Sequence, residues 1–379
     1  MRVVITGGGT GGHVYPGLAI EAALRADAAA RGEDYRAIFI GNRSGLEATV
    51  VPQSAGLPVA FVPAAPMSRR NPLRFSRGIA INLAGVAVAV DALNRYKPGV
   101  VIASGGYVTF PVVAAAWLLR AMRRIDPVIA LLEPNAKPGL TNRVLAPLVD
   151  EVWCAPWTSA NGVGKHGVVT GVPVRAQFKA LPPRPRARES FSIDPHATVI
   201  VVLGGSQGAR SINEAVLSML TTCDLPREWW ILHVSGRRDA ATMDAGLAQK
   251  RTGNRVTLLP YLDDLWTAYA AADLVVARAG ASTLGELAVS ARPAVLVPYP
   301  YAAEDHQTAN AEAFADSGAA KVLADGMLSG ENLFRALSNA LQPDTLASMA
   351  KAAQSLAPAD AAAMIVRRVR ALRDERTRL

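Results

Sequence analysis

Cysteine is scarce in this 379-residue chain, with Cys154 and Cys223 the only two. That number excludes a disulfide framework and a thiolate zinc cage. The five histidines, at positions 13, 166, 196, 233 and 306, show no metal-ligand spacing. No metal or other cofactor is therefore expected, and the chain reads as cytosolic. Aromatic residues make up only 6%. Neither a zinc finger, a basic zipper nor an RNA-binding sheet motif is recognisable, which argues against nucleic acid as a partner. Long apolar runs are lacking as well. The two most apolar stretches, 79–90 and 107–119, fall short of the roughly 20 residues that span a bilayer. The opening residues, Met1-Arg2-Val3-Val4-Ile5-Thr6-Gly7, run from a strand straight into glycines and do not read as a signal peptide.

What is abundant points elsewhere. Half of the residues are apolar and 19% are charged, which suits a chain with large packed cores. A length of 379 residues is more than one core usually serves, so two domains are expected. The formal net charge is +9. With nucleic acid set aside, such a basic excess points to an anionic substrate or an anionic membrane surface.

Short β-branched runs alternate with helical stretches. Residues 3–6, 37–40, 100–103, 128–132 and 152–154 read as strands, with 16–31 and 111–124 as helices. That alternation predicts parallel strands joined by helical crossovers. Unbroken apolar runs such as Val100-Val101-Ile102-Ala103 suit strands buried on both faces. Residues 179–195 are rich in Pro and Arg and read as a linker. The pattern then restarts, with strands at 198–203, 229–235, 256–259, 274–277 and 294–297. The expected organisation is a doubly wound α/β domain over 1–178, the linker over 179–195 and a second such domain over 196–357. In the terminal segment, 358–379, a helix at 359–373 is a candidate to pack back on the first domain.

Glycine-rich turns close three of these strands. The first runs into Gly7-Gly8-Gly9-Thr10-Gly11-Gly12-His13, the third into Ser104-Gly105-Gly106-Tyr107, and strand 198–203 into Gly204-Gly205-Ser206-Gln207-Gly208-Ala209-Arg210. Glycines tolerate positive φ and let backbone N–H groups approach an anion at a helix N-terminus. Gly7, Gly9 and Gly12 satisfy a dinucleotide fingerprint, but strand 37–40 ends in Gly41-Asn42-Arg43 without the carboxylate that would hold a ribose, so a nicotinamide cofactor is disfavoured. Three such turns in two domains, all at carboxyl ends of strands, point to a ligand crevice. Further polar residues follow other strands. Glu133-Pro134-Asn135 follows 128–132, and Arg278-Ala279-Gly280-Ala281-Ser282-Thr283-Leu284-Gly285-Glu286 follows 274–277. Ser282 or Thr283 is either a helix cap or a ligand contact. Gln307 and Asn310, three apart on one helical face, are either ligand contacts or solvated surface.

Taken together and in order, these motifs, with Asp305-His306-Gln307, resemble the MurG family of N-acetylglucosaminyltransferases, which convert lipid I to lipid II in peptidoglycan synthesis. The resemblance covers nearly the whole chain. Pro134 stands where the family often has Gln. The resemblance implies a GT-B fold, two Rossmann-like domains facing a central cleft, with the acceptor on the first and UDP-N-acetylglucosamine mostly on the second. Carried over position by position, the donor contacts are Thr10, Gly11, Gly12, Asn135, Arg175, Ser206, Leu262, Glu286 and Gln307, with Ser282 and Thr283 beside them. Tyr107 and Asn213 become acceptor contacts, together with the turn residues Gly105 and Gly106.

The implied reaction needs a base for the acceptor hydroxyl and stabilisation of the departing diphosphate. With no metal-ligand cluster, helix N-termini and Arg175 are left for the second task. His13 is the first candidate base, with a mere hydrogen-bonding role as the alternative, and Glu133 is the second candidate. The acceptor's lipid tail implies a peripheral protein on the cytoplasmic face of the inner membrane. The segment 67–77, with four arginines around Leu73 and Phe75, and the helix carrying Trp117, Arg120, Arg123 and Arg124 are expected to dock there. Rival readings are another lipid-directed transferase, such as a diacylglycerol glycosyltransferase, and a UDP-sugar-binding scaffold without turnover.

Overall fold

A computed structural model describes residues 1–66, 72–159, 162–205, 208–248, 255–357 and 360–378. The chain divides into two units, Met1–Arg175 with Pro358–Leu379, and Ala176–Ala357. Each is a parallel sheet covered by helices, as expected of a GT-B protein.

The first unit runs β1 (Arg2–Thr6), α1 (Gly11–Ala30), β2 (Arg36–Gly41), α2 (Glu47–Ala55), β3 (Val59–Phe61) and α3 (Pro72–Tyr96). It continues with β4 (Val100–Ala103), α4 (Thr109–Ala121), β5 (Val128–Glu133), α5 (Leu140–Leu145), β6 (Glu151–Cys154) and β7 (Gly167–Val169). Its seven strands lie in the order β3-β2-β1-β4-β5-β6-β7. β4 shows why an unbroken apolar run forms a central strand. Val101 and Ala103 enter the core under α3 and α4, while Val100 and Ile102 enter the opposite one, beneath α1. Helix α1 starts at Gly11, five residues before the expected start at 16. Pro16 lies inside the helix, where its missing N–H leaves only the Gly12 carbonyl without its helical donor.

Helix α3 is longer than the apolar run 79–90. Over Phe75–Tyr96 it is long and apolar enough, by length and composition alone, to cross a membrane. It packs along α4 instead, with Ala89 and Leu93 buried in the shared core. The amide of Asn82, buried within α3, both donates to and accepts from the backbone of Ala65.

The second unit runs α6 (Arg184–Ser190), β8 (Thr198–Leu203), α7 (Arg210–Thr222), β9 (Trp229–Val234), α8 (Ala240–Ala248) and β10 (Arg255–Leu259). Then come α9 (Leu265–Ala271), β11 (Leu274–Ala277), α10 (Ala281–Val289), β12 (Ala294–Leu296), α11 (His306–Asp316), β13 (Ala320–Val322), α12 (Gly330–Ala340) and α13 (Pro343–Ser355). The six strands lie in the order β10-β9-β8-β11-β12-β13. The last helix, α14 (Ala361–Arg378), belongs to the first unit and buries Ile365, Val366 and Val369 against the core of β1. Arg370 ties it to Asp27 and Glu33.

The segment 179–195 is not a linker. It is built into the second unit, where α6 packs on α9 through Ala187, Ala270 and Ala271. Pro185 sits in the first helical turn, where proline is tolerated. Arg184 and the buried Arg188 both donate to Asp273, each at 2.8 Å. In both sheets the strand order reverses once, between β1 and β4 and between β8 and β11, and turns at such a switch point are where open α/β sheets bind ligands.

Candidate active site

In the first unit the β1 turn and the β4 turn interlock, because β1 and β4 are neighbours. The Gly8 N–H donates to the Gly105 carbonyl at 3.2 Å. Gly105 and Gly106 have φ of +111° and +87°. A Cβ on Gly105 would lie 2.5 Å from Nδ1 of His13, and one on Gly106 2.3 Å from the Gly8 carbonyl oxygen. No other residue fits either position. His13, in the first turn of α1, places Nδ1 3.3 Å from the Ser104 carbonyl. That oxygen only accepts, so the contact favours hydrogen on Nδ1 and a lone pair on Nε2, the form a general base needs.

The Tyr107 ring lies against Gly9. The Arg175 guanidinium stacks 5.0 Å from the ring of Tyr15, which itself covers Gly11. Thr10, Gly11, Gly12, His13, Gly105, Gly106, Tyr107 and Arg175 are thus gathered at one end of the first sheet.

Glu133 is placed differently from a base. It is 1% exposed at the end of β5. One oxygen accepts from the backbone and side-chain nitrogens of Asn135, both at 3.0 Å. The other accepts from the Gly139 N–H and the Asn142 amide, both at 2.9 Å. Burial pushes this carboxyl above its ordinary value, while the four donors pull the other way. A carboxylate that accepts from four donors is a brace for the loop 134–142, and a proton on it would break a bond. Its assignment as second candidate base is therefore corrected to a positioning role, and Asn135 is oriented by it. Pro134 donates nothing here, and its carbonyl accepts from the Trp157 indole at 3.0 Å.

In the second unit Ser206 lies outside the described residues. Ser282 and Thr283 do not cap α10: Gly280 occupies the cap without a side-chain bond, and both residues stand in the first helical turn. Glu286 follows on the same helix, half-buried, with the Tyr269 hydroxyl donating to it at 3.5 Å. Leu262 is half-buried in the loop after β10. Gln307, in the first turn of α11, accepts from the Tyr299 N–H at 3.0 Å, so its amide donors remain its means of reaching a hydroxyl. Asn310 is fully buried and donates to the Ala279 carbonyl, which makes it a brace for the turn before α10.

Asn213 requires a correction. It is 2% exposed, in the second unit, and its amide is used internally. It donates to the Ser235 carbonyl and to Asp239, both at 3.0 Å, and accepts from Nε2 of His233 at 2.8 Å. Burial pushes the His233 pKa down to about 4, so its ring is neutral. Asn213 therefore shapes the 235–239 turn, against which Gly208 packs, and does not face an acceptor.

Two residues were not singled out in the sequence. Arg278 donates to the carbonyls of Val297 and Pro298 and stacks on Tyr299, so it fixes the loop that in turn holds Gln307. Glu47 binds the first glycine turn from behind. Its signal was a carboxylate just past strand 37–40, but too far along to count as a ribose anchor. Among the described residues, no group of three His, Cys, Asp or Glu side chains converges to hold a metal.

Comparison with known proteins identifies the family. Residues 3–154 match the glycosyltransferase family 28 N-terminal domain and 199–365 the corresponding C-terminal domain. A Moorella thermoacetica protein named UDP-N-acetylglucosamine–N-acetylmuramyl-(pentapeptide) pyrophosphoryl-undecaprenol N-acetylglucosamine transferase is 42% identical, over 94% of this chain and 95% of its own. The Desulforamulus reducens protein of the same name is 37% identical, over 97% of both chains. This chain belongs to the MurG family. The crystal structure of Acinetobacter baumannii MurG superposes with a TM-score of 0.75 at 27% identity, covering 97% of this chain and 99% of that one. The two matched domains span both units, so the likeness is to the whole fold and not to one part of it.

Proposed function

We infer that this chain transfers N-acetylglucosamine from UDP-N-acetylglucosamine to the 4-hydroxyl of lipid I, the undecaprenyl-diphosphate-linked muramoyl pentapeptide, giving lipid II. The observation that carries this reading is near-full-length similarity, at 42% identity, to a transferase named for that donor and acceptor. It also sets the diacylglycerol alternative aside. In the reaction the acceptor O4 attacks the anomeric carbon with inversion, the bond to UDP breaks, and its electron pair leaves on the β-phosphate. The O4 proton goes to Nε2 of His13. Arg175, Ser206 and the N-terminus of α7 offset the charge on the diphosphate. Glu286 accepts the ribose hydroxyls, and Gln307 donates to the sugar. Thr10, Gly11, Gly12, Asn135 and Leu262 complete the donor side, with Gly105, Gly106 and Tyr107 on the acceptor side. The decisive assay is transfer of labelled sugar from UDP-N-acetylglucosamine to a lipid I analogue. UDP binding without transfer would favour the scaffold reading.

On this assignment Glu286→Ala raises the donor KM by about 10-fold or more, because a hydrogen bond involving a charged group contributes about 1.5–3 kcal/mol, and Gln307→Ala raises it by about 2- to 10-fold, because a neutral hydrogen bond contributes about 0.5–1.5 kcal/mol. Steady-state kinetics at saturating acceptor reads this directly. An unchanged donor KM in both folded variants removes these residues from the donor site.

The lipid tail of the acceptor calls for a membrane-facing surface. We place it on α3 and α4, which pack together in the first unit. Ile79 (39%), Leu83 (61%), Trp117 (39%) and Met122 (56%) are exposed there, as are Arg77, Arg123 and Arg124. Arg120 drops out of the expected basic set: its Nη1 donates to both oxygens of Asp150, at 3.0 and 2.9 Å. Residues 67–71 of the expected docking segment lie outside the described residues. Each arginine near an anionic surface contributes about 1 kcal/mol, so attachment is reversible and weakened by salt. Sedimentation with phosphatidylglycerol liposomes should fall at high salt, and fall again in an Arg69/Arg70/Arg74/Arg77→Ser variant. Equal sedimentation of variant and wild type would place docking elsewhere.

A further inference from the structure

Glu47 is a fully buried carboxylate that the chemistry above does not use. It opens α2, and its two oxygens accept from two backbone donors: the Gly9 N–H at 3.0 Å and the Asn42 N–H at 2.8 Å. The chain makes room for it. A Cβ on Gly8 or on Gly45 would lie 2.2 Å from a carboxylate oxygen, and one on Gly41 2.4 Å from Cγ of Glu47. Burying a carboxylate is expensive unless donors meet it, and charge-assisted bonds to backbone N–H groups are among the stronger ones.

We propose that Glu47 is a positioning residue, an internal anion that takes the phosphate place of the first glycine turn and holds that turn for His13. In a dinucleotide-binding domain the N–H groups of this turn receive a ligand's pyrophosphate. Here the Gly9 N–H is turned toward Glu47 and the Gly8 N–H toward the Gly105 carbonyl. Both N–H groups are thus taken up by the chain itself, and the turn keeps its shape whether or not a ligand is present. A short series of contacts links Glu47 to that base: Glu47 to Gly9, the adjoining Gly8 to Gly105, and Ser104 to Nδ1 of His13.

The kinetic half of this inference rests on the transfer reaction proposed above, so the test carries a readout that needs no turnover. Glu47→Gln keeps the size of the side chain but removes the charge and sets an amide donor against an N–H. It should lower kcat by about 10²-fold, the cost of small misplacement at a reacting centre. UDP affinity should fall far less than kcat, because most of the donor contacts assigned above lie outside this turn, the split expected of an effect centred on the base. Amide exchange in a peptide covering residues 7–13 should quicken, with the rest of the unit unchanged. In Glu47→Ala, added formate should restore activity saturably, while wild type shows no stimulation. The proposal is overturned if the folded variants keep wild-type kcat and exchange, if UDP affinity falls in step with kcat, or if formate leaves the alanine variant unmoved. A wild-type protein that transfers no sugar, yet shows the exchange difference, counts against the transfer reading alone.

Discussion

Replacing His13 with alanine should lower kcat by about 10²–10⁴-fold, the range of a positioned general base, while UDP affinity stays within a few-fold. The geometry concentrates this expectation on one side chain. His13 is held in the first turn of α1 by a close approach to Gly105 and by the Ser104 carbonyl, in the tautomer that leaves Nε2 basic. Glu133, the other carboxyl considered for the task, already accepts four hydrogen bonds and is closed off from solvent. Single-turnover assays with saturating donor separate the two roles open to His13. A residue that only held the acceptor would raise the acceptor KM and leave the chemical step nearly intact. A kcat within a few-fold of wild type removes His13 as the base.

The largest effect on stability is expected at Asp273, in the second unit. Its carboxylate accepts from Arg184 and Arg188 of α6 and from the Val199 N–H of β8, the last at 2.7 Å. Arg188 is only 7% exposed in its side chain. Asp273→Ala leaves that guanidinium without its acid and frees a strand N–H, and breaking a buried pair from one side costs about 3–5 kcal/mol. For a unit of this size that corresponds to a fall of roughly 6–20 °C in Tm. Calorimetry should show the loss in one of two transitions, since two units need not melt together. Asp273→Asn, which keeps one acceptor, should fall between. A shift below about 2 °C in the alanine variant would mean that α6 is held by its apolar contacts alone.

The ten strands expected from β-branched runs are all present, within a residue or so at their ends. β4, β8 and β11 match to the residue. The three strands not anticipated, β3, β7 and β13, are three residues each, too short for a run or an alternation to register. The segment 179–195 was misjudged for a related reason. Its Pro and Arg content is what an exposed tether shows, and the acid that makes it a packed helix lies at Asp273, 85 residues beyond Arg188.

The glycine turns were legible from residue order alone, because a turn at the carboxyl end of a parallel strand is a local feature with a fixed topological meaning, whereas the roles proposed for His13, Glu286 and Gln307 rest on the family resemblance. What no local pattern carries is which polar side chain is consumed inside the protein. Glu133 and Asn213 read as chemistry in the sequence, yet both are spent bracing turns. Glu47 drew no notice as a site residue, yet it reaches back 38 residues to the first turn. The sequence by itself determined the two parallel sheets and ten of their thirteen strands. Burial decided the rest: a carboxylate or amide removed from water must find its donors and acceptors wherever the fold brings them, and that partnership exists only in three dimensions.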